Sequence, residues 1–358
     1  MIKKYFTDVT SGRKKGTAAG LLAALLKVLS VPFRWAVRAR ALLYDTGILK
    51  TVKAGSAVIS VGNLTTGGTG KTQIVKYLAE MFLQRGKNTA IICRSYSGRM
   101  KELWVSDGSK LLAGPEDAGD EPYMLARMLK GVMVGAARKR ERLVSAGGAE
   151  VFILDDAFQY RRLKRDLDIV LLDATRDYDK IDYLPCGSFR EGLESLKRAG
   201  VVILTKSNNV SGEKLNYLVQ KSAAYNKDAE IIISEEHIRS FRSVKKGTVK
   251  ITFDSEGSEG CVFTALGNPE AFVKSLESAG IKPVRNFFYP DHHKFTAGEI
   301  DEIAAYANCF ITAKDEVKIE KELVRDFNTE IWVAEPEIIL KNTDGAVVKW
   351  PKKLEPLF

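Results

Sequence analysis

Four short segments carry side chains suited to handling a phosphorylated substrate. The first is Thr65-Thr66-Gly67-Gly68-Thr69-Gly70-Lys71-Thr72. Glycines at this density let a backbone curl round an anion with its N–H groups turned inward, and a helix opening at Lys71 adds its positive end. In that setting Lys71 reaches the β- and γ-phosphates of a nucleoside triphosphate, and the Thr72 hydroxyl holds Mg²⁺. The usual eight-residue pattern opens on glycine, where this chain has Thr65. The second segment, Val151-Phe152-Ile153-Leu154-Asp155-Asp156, is an apolar run that ends in two carboxylates. A central strand feeding a Mg²⁺ site has this form: one carboxylate contacts the ion or its water, and the other orients the attacking group or a second cation.

The third and fourth segments are open to two readings each. In Gly119-Asp120-Glu121-Pro122 the simplest role for Asp120 is to cap a helix starting near Pro122. In Tyr289-Pro290-Asp291-His292-His293-Lys294-Phe295, a proline-led polar loop follows an apolar strand. Its imidazoles could accept a proton or sustain a neighbouring base, or they could belong to a surface loop and helix cap.

The elements that must position these residues alternate. Strands are expected at Ala57–Val61, Thr89–Cys93, Val132–Val134, Val151–Leu154, Ile169–Leu172 and Val201–Thr205. Helices are expected from Lys71 to about Gln84, at Pro122–Leu129 and over 138–147. This implies an α/β fold with a P-loop-type, mostly parallel sheet and helices on both faces. After Thr205 a polar helical stretch, 207–230, leads to strands at Ile231–Ser234 and Lys250–Phe253. Val262–Leu266, a helix over Pro269–Ala279, and strands at Val284–Phe288 and Cys309–Thr312 then make a smaller C-terminal α/β domain. The expected division is 1–53, 54–206 and 207–358.

Composition narrows the class. The four cysteines, Cys93, Cys186, Cys261 and Cys309, form no CxxC or Cys/His spacing, which argues against a zinc or disulfide framework. The net charge is +10, yet residues 1–53 alone hold eleven Lys/Arg against Asp8 and Asp45, a net of +9. Basic charge collected at one end does not suit a nucleic-acid-binding face. The same stretch is apolar from Leu21 to Trp35, with Lys27, Arg34 and Arg38 on one helix face and Pro32 expected to divide or kink it. It reads as a helix lying in an anionic membrane interface, or else as a helix packed on the enzyme's own core.

Taken in order, the motifs resemble the tetraacyldisaccharide 4′-kinase family. They are VGNLTTGGTGKT at 61–72, GDEP at 119–122, FILDDAFQYRRLKRDLDIVLLDA at 152–174, LPCGSFRE at 184–191, LTKS at 204–207, ALGNPEAF at 265–272, YPDHHKF at 289–295 and TAKDEVKI at 312–319. The resemblance implies transfer of phosphate from ATP, with Mg²⁺, to the 4′-hydroxyl of an acylated glucosamine disaccharide 1-phosphate lipid. It implies a P-loop core with a smaller domain and the active site between them, and a peripheral location on the cytoplasmic face of the inner membrane. Lys71 and Thr72 then hold phosphates and Mg²⁺, and Thr65, Thr66, Gly67, Gly68, Thr69 and Gly70 cradle the nucleotide. Asp120 is the catalytic carboxylate with His292 as its partner, and Asp155 and Asp156 are the metal-side pair with Gln159 near the nucleotide. A monomer is expected. Four departures from the family's usual motifs stand out: SRGY appears as Cys93-Arg94-Ser95-Tyr96, DDGFQH as Asp155-Asp156-Ala157-Phe158-Gln159-Tyr160, GKTP as Gly70-Lys71-Thr72-Gln73, and LREP as Phe189-Arg190-Glu191-Gly192. Arg94, Arg99 and Arg190 are candidates for substrate phosphate or transition-state charge by type alone. The rival readings are a nucleotide-hydrolysing switch or assembly protein, and a P-loop kinase of another acceptor.

Overall fold

The computed structural model describes residues 9, 14–95, 98–246, 250–251, 258–290, 293–319 and 327–358. Tyr96, Asp291 and His292 lie outside the described residues. Within them the strands run β1 (Ala57–Asn63), β2 (Thr89–Cys93), β3 (Glu102–Asp107), β4 (Met133–Ala137), β5 (Val151–Asp155), β6 (Leu167–Asp173), β7 (Val201–Thr205) and β8 (Glu230–Ser243). They continue with β9 (Lys250–Ile251), β10 (Ser258–Thr264), β11 (Ile281–Phe288), β12 (Asn308–Thr312), β13 (Glu330–Lys341) and β14 (Val347–Val348).

Two compact units are built from interleaved pieces of the chain. The first takes 1–75, 144–234 and 340–358; the second takes 76–143 and 235–339. In the first, β7, β6, β1 and β5 lie side by side in that order, with the first residues of β8 beyond β7, and every pairing is parallel. Residues 58–63, all of β5 and all of β7 are buried. Such strands must be covered on both faces, which is why they read as unbroken Val/Ile/Leu runs rather than alternating ones. Parallel pairing also brings the C-terminal ends of β1, β5, β6 and β7 to one edge, where α/β sheets bind ligands.

The second unit contains β2 and β4, which are parallel, with β3 antiparallel to β4. It also holds a second parallel set in which β10 lies between β11 and β12, and β12 pairs with β13. The helix Pro269–Ser278 follows β10. It is capped by Asn268, whose side chain accepts from the Ala271 amide, and opens on Pro269. Phe272 and Leu276 turn its apolar face onto Phe241, Val262 and Phe310.

Thr17–Asp45 is one continuous helix. Pro32 lies inside it and does not divide it, which rules out the first of the two effects expected from sequence. Its inner face, Ala19 and Leu26, is buried, and Phe33 packs against the first unit's core around Leu64, Phe158 and Phe189. Its opposite face is apolar and open: Leu21, Val28, Trp35 and Leu42 are 61–74% exposed. Their seven-residue spacing stacks them along one stripe. By length and composition the helix could cross a bilayer, and only 6% of its most apolar stretch is buried.

Candidate active site

The site grows from the end of β1. Gly62 is where a side chain could not be: a Cβ there would lie 2.6 Å from both Cβ and N of Phe158. Without one, the segment after β5 closes onto β1, and the Ala157 amide donates to the Val61 carbonyl at 3.1 Å. Val61 is in register with Asp155, so both carboxylates of the second motif arrive beside the start of the phosphate loop. Gly62→Ala should therefore lower stability by about 1–3 kcal/mol, the usual cost of overpacking a filled core. Chemical denaturation should show this as a lower midpoint.

Beyond Asn63 the loop turns through Gly67, φ 101°, and Gly70, φ 80°, left-handed values that glycine takes without strain. Its carbonyls are held from outside, one after another. The Arg190 amide donates to Leu64 at 2.7 Å and the Arg190 guanidinium to Thr65 at 3.1 Å. Arg176 donates to the Thr66 carbonyl at 2.8 Å, Lys206 to that of Gly68 at 2.8 Å, and the Thr205 hydroxyl to that of Thr69 at 3.0 Å. Fixing the carbonyls outward is what orients a glycine-rich nest with its amides toward an anion. Helix formation then begins at Lys71, and the Ile74 amide donates to the Gly70 carbonyl. The chain's own buttresses are buttressed in turn: Lys206 pairs with Asp173 at 2.6 Å, and Arg176 donates to Ser188 at 3.1 Å.

Within this cradle the Lys71 ammonium lies 3.6 Å from Asp156. Arg190 grips both oxygens of Asp156, Nη1 to Oδ2 and Nη2 to Oδ1, each at 2.9 Å. Its Nη2 also donates to Asn63 Oδ1 at 2.6 Å, and Asn63 Nδ2 donates to Thr69 Oγ1 at 2.7 Å. Gln159 Nε2 donates to the Asn63 carbonyl at 2.9 Å, which fixes that residue beside the loop. Asp155 is buried at the end of β5. Asp155 and Asp156 stand at the mouth of the sheet, and Thr72 lies one residue into the helix. One or two carboxylates with a loop hydroxyl suit Mg²⁺, which takes its remaining ligands from phosphate and water. No group of three or more His, Cys, Asp or Glu able to hold a metal occurs among the described residues.

Two of the sequence departures are neutral for the backbone. Ser95 and Ala157 replace glycine, and neither has a positive φ. Ser95 Oγ instead donates to the Met100 carbonyl at 2.9 Å. Phe189 is buried and meets Tyr178 edge-on, with ring centres 6.0 Å apart.

The second unit holds the other two motifs. The helix Asp120–Met128 has Gly119, φ 93°, at its N-cap, and no side chain caps it. Capping is therefore not the role of Asp120, although it was the simplest reading from sequence. Asp120 sits instead in the helix's first turn, where the helix's positive end favours its charge. The described end of the histidine loop comes close by: Lys294 Nζ meets Glu116 at 2.7 Å. That bond, first, and the charge of Asp120 as well, raise the lysine's pKa, while the same lysine lowers that of Glu116. His293 is committed elsewhere, stacked on Tyr289 with ring centres 5.0 Å apart and 2.9 Å from Glu299. Backbone donation from Thr296, then the His293 contact, lowers the Glu299 pKa. Burial, helped by Glu302 and Glu299, pushes the Tyr289 hydroxyl up to about 12. His293 is thus an anchor of this loop, the role left open from sequence.

Sequence reasoning assigned no role to Asn63, Asp173, Arg176, Ser188, Thr205 or Lys206, and it listed Arg190 by type alone. Most of them lie inside quoted motifs, LTKS and LPCGSFRE among them, whose function in the fold only tertiary pairing discloses.

The chain is similar to proteins of one family. A model of the family described as tetraacyldisaccharide-1-P 4′-kinase matches residues 22–350. A tetraacyldisaccharide 4′-kinase of Anaeromyxobacter dehalogenans strain 2CP-1 is 36% identical over 324 residues, covering 87% of this chain and 84% of that protein. One from Halothermothrix orenii is 31% identical over 367 residues, covering 96% of this chain and 95% of that protein. Among solved structures, the "apo" form of LpxK from Aquifex aeolicus in complex with ATP is similar with a TM-score of 0.73. It is 30% identical and covers 94% of this chain and 99% of that one.

Proposed function

We infer, from the premise that this chain belongs to the tetraacyldisaccharide-1-P 4′-kinase family, that it transfers the γ-phosphoryl group of ATP to the 4′-hydroxyl of a tetraacyldisaccharide 1-phosphate, giving the 1,4′-bisphosphate. The observation that carries this reading is the phosphate loop at the end of β1, with its carbonyls fastened outward and Lys71 beside Asp156. The loop amides and Lys71 bind and orient the triphosphate. Thr72, Asp155 and Asp156 fit Mg²⁺, which would offset charge on the transferring phosphoryl group. Asp120, with His292 as its partner, takes the proton from the sugar hydroxyl. A carboxylate suffices for this because the proton leaves late in a loose transition state. The functional division into 1–53, 54–206 and 207–358 belongs to the same proposal. So do monomeric action and the absence of a nucleic-acid partner.

The test is phosphate transfer from ATP with and without detergent-dispersed disaccharide lipid. Lipid-dependent formation of the bisphosphate is expected. ATP hydrolysis with no phosphorylated lipid would instead favour a nucleotide-driven switch, and transfer to a soluble sugar alone would favour another acceptor.

The acceptor's acyl chains place the work at a membrane, and we propose its cytoplasmic face. The support is the N-terminal helix, whose outward stripe is apolar. The basic residues contribute less than sequence suggests, because Arg38 is paired with Glu194 at 3.5 Å and Arg34 lies over the Tyr183 ring. Docking should thus depend chiefly on the apolar stripe. Val28→Glu with Trp35→Glu should weaken co-sedimentation with anionic vesicles by at least about tenfold. It should also raise the apparent KM for lipid in vesicles, but not for lipid in detergent. Unchanged vesicle binding would return the helix to a packing role.

A further inference from the structure

We propose that Arg190 is a positioning residue whose work is to keep Asp156 from capturing Lys71, so that Lys71 stays available to nucleotide phosphate. The inference rests on the nucleotide half of the function proposed above and assigns Arg190 a task different from binding substrate phosphate.

The geometry begins with commitment. All three guanidinium nitrogens of Arg190 already have protein acceptors: Nε the Thr65 carbonyl at 3.3 Å, Nη1 Asp156 Oδ2, and Nη2 Asp156 Oδ1, Asn63 Oδ1 and the Thr65 carbonyl. Turning this fork to a phosphate would break the hold on the loop at two points, Asn63 and Thr65. The Arg190 side chain is only 18% exposed. A planar, bidentate grip of this kind is specific to arginine, because lysine offers a point charge without the fork.

Strain points the same way. Asp156 has φ 49°, and only it and Lys206 are non-glycine residues with positive φ among the described residues. A left-handed aspartate persists where its surroundings over-determine it. Here the Arg190 fork locks the side chain of the strained residue, and Lys206 is likewise locked, onto Asp173 and Gly68.

Charge supplies the consequence. Asp156 lies between two cations, with the Arg190 contacts at 2.9 Å and the Lys71 contact at 3.6 Å. The shorter, two-pronged pair satisfies the carboxylate, and Lys71 is left in the weaker position. The three groups together carry one net positive charge at the head of the loop. Removing Arg190 leaves one carboxylate and one ammonium, which would close into a neutral pair. Lys71 would then have to leave that pair before it could meet a phosphate.

This yields an unusual sign in a double-mutant experiment. Arg190→Met should weaken binding of a fluorescent ATP analogue, measured in EDTA without acceptor lipid, by at least about tenfold, as expected when a principal phosphate cation is diverted. Arg190→Lys should not restore it, since the fork is lost. Adding Asp156→Asn to Arg190→Met should recover part of the lost affinity. The neutral amide no longer holds Lys71, and asparagine tolerates a left-handed backbone better than most residues. Unfolding midpoints of all variants show that the comparison is made on folded protein. The idea is overturned if the double mutant binds nucleotide no better than Arg190→Met. It is also overturned if Arg190→Met leaves nucleotide affinity unchanged and raises only the KM for lipid, the signature of a lipid-phosphate ligand. Because nucleotide binding is read without acceptor, a parent protein that binds ATP yet phosphorylates no disaccharide lipid would sink the function proposal and leave the role of Arg190 standing.

Discussion

Lys71→Ala is expected to lower phosphoryl transfer by at least about 10²-fold, the scale seen when one principal charge-stabilising group is removed from a preorganised site. The reason is positional. Lys71 opens the helix Lys71–Gln84 directly after Gly70, and its ammonium reaches the edge of the sheet where Asp156 stands 3.6 Å away. The loop carbonyls are already tied to Arg190, Arg176, Lys206 and Thr205, so the cradle survives the substitution. The loss should fall on kcat as well as on nucleotide affinity, because charge on the transferring group grows toward the transition state. Lys71 takes no part in that fastening, so the unfolding midpoint should move little. Turnover near that of the parent in folded Lys71→Ala would remove Lys71 from the chemistry.

The contrast between Lys71 and Arg190 shows what sequence could and could not disclose. Lys71 was legible because its meaning is local: an apolar strand, a glycine-rich turn and a helix start follow one another within fourteen residues of sequence. The helix bounds, Lys71–Gln84, fall where periodicity put them. Arg190 was visible only as a charged residue, because its partners Asn63, Thr65 and Asp156 are 34 to 127 positions away. Nothing local states that its fork is already occupied. Strands show the same divide. The buried runs β1, β5, β6 and β7 announce themselves by unbroken apolar residues, and the parallel α/β class followed from them. β13 did not, since Pro336 and two flanking glutamates interrupt Glu330–Lys341. β3 is likewise a short half-buried strand with polar ends, antiparallel to β4, that periodicity did not single out. The helix Thr17–Asp45 was legible in its apolar and basic composition, but the sequence could not say that Arg34 and Arg38 face protein partners. The units themselves interleave, placing 76–143 with 235–339. No scan of a linear composition could read that.

That interleaving bears on the base. GDEP and the described ends of the histidine loop fall in the same compact unit, although nearly 170 positions separate Asp120 from Tyr289. The Lys294–Glu116 pair, 2.7 Å long, ties the end of the loop to the short helix Pro115–Ala118 that precedes Asp120. Capping no longer explains the aspartate, because Gly119 takes the N-cap and no side chain bonds there. Asp120→Asn keeps the size and the helix position and removes the negative charge, and with it the ability to take a proton. It should lower kcat by about 10²–10⁴-fold, the range for loss of a general base, with KM for ATP within about twofold of the parent. Its fold should be intact, since a half-buried first-turn charge is worth about 2 kcal/mol at most. His292→Ala should lose activity by the same route. If the two act as one unit, the double mutant Asp120→Asn/His292→Ala loses much less than the product of the single losses. Multiplicative losses in that cycle would mean that the histidine does not work through Asp120. A folded Asp120→Asn enzyme with near-normal kcat would mean that another group, or water alone, takes the hydroxyl proton.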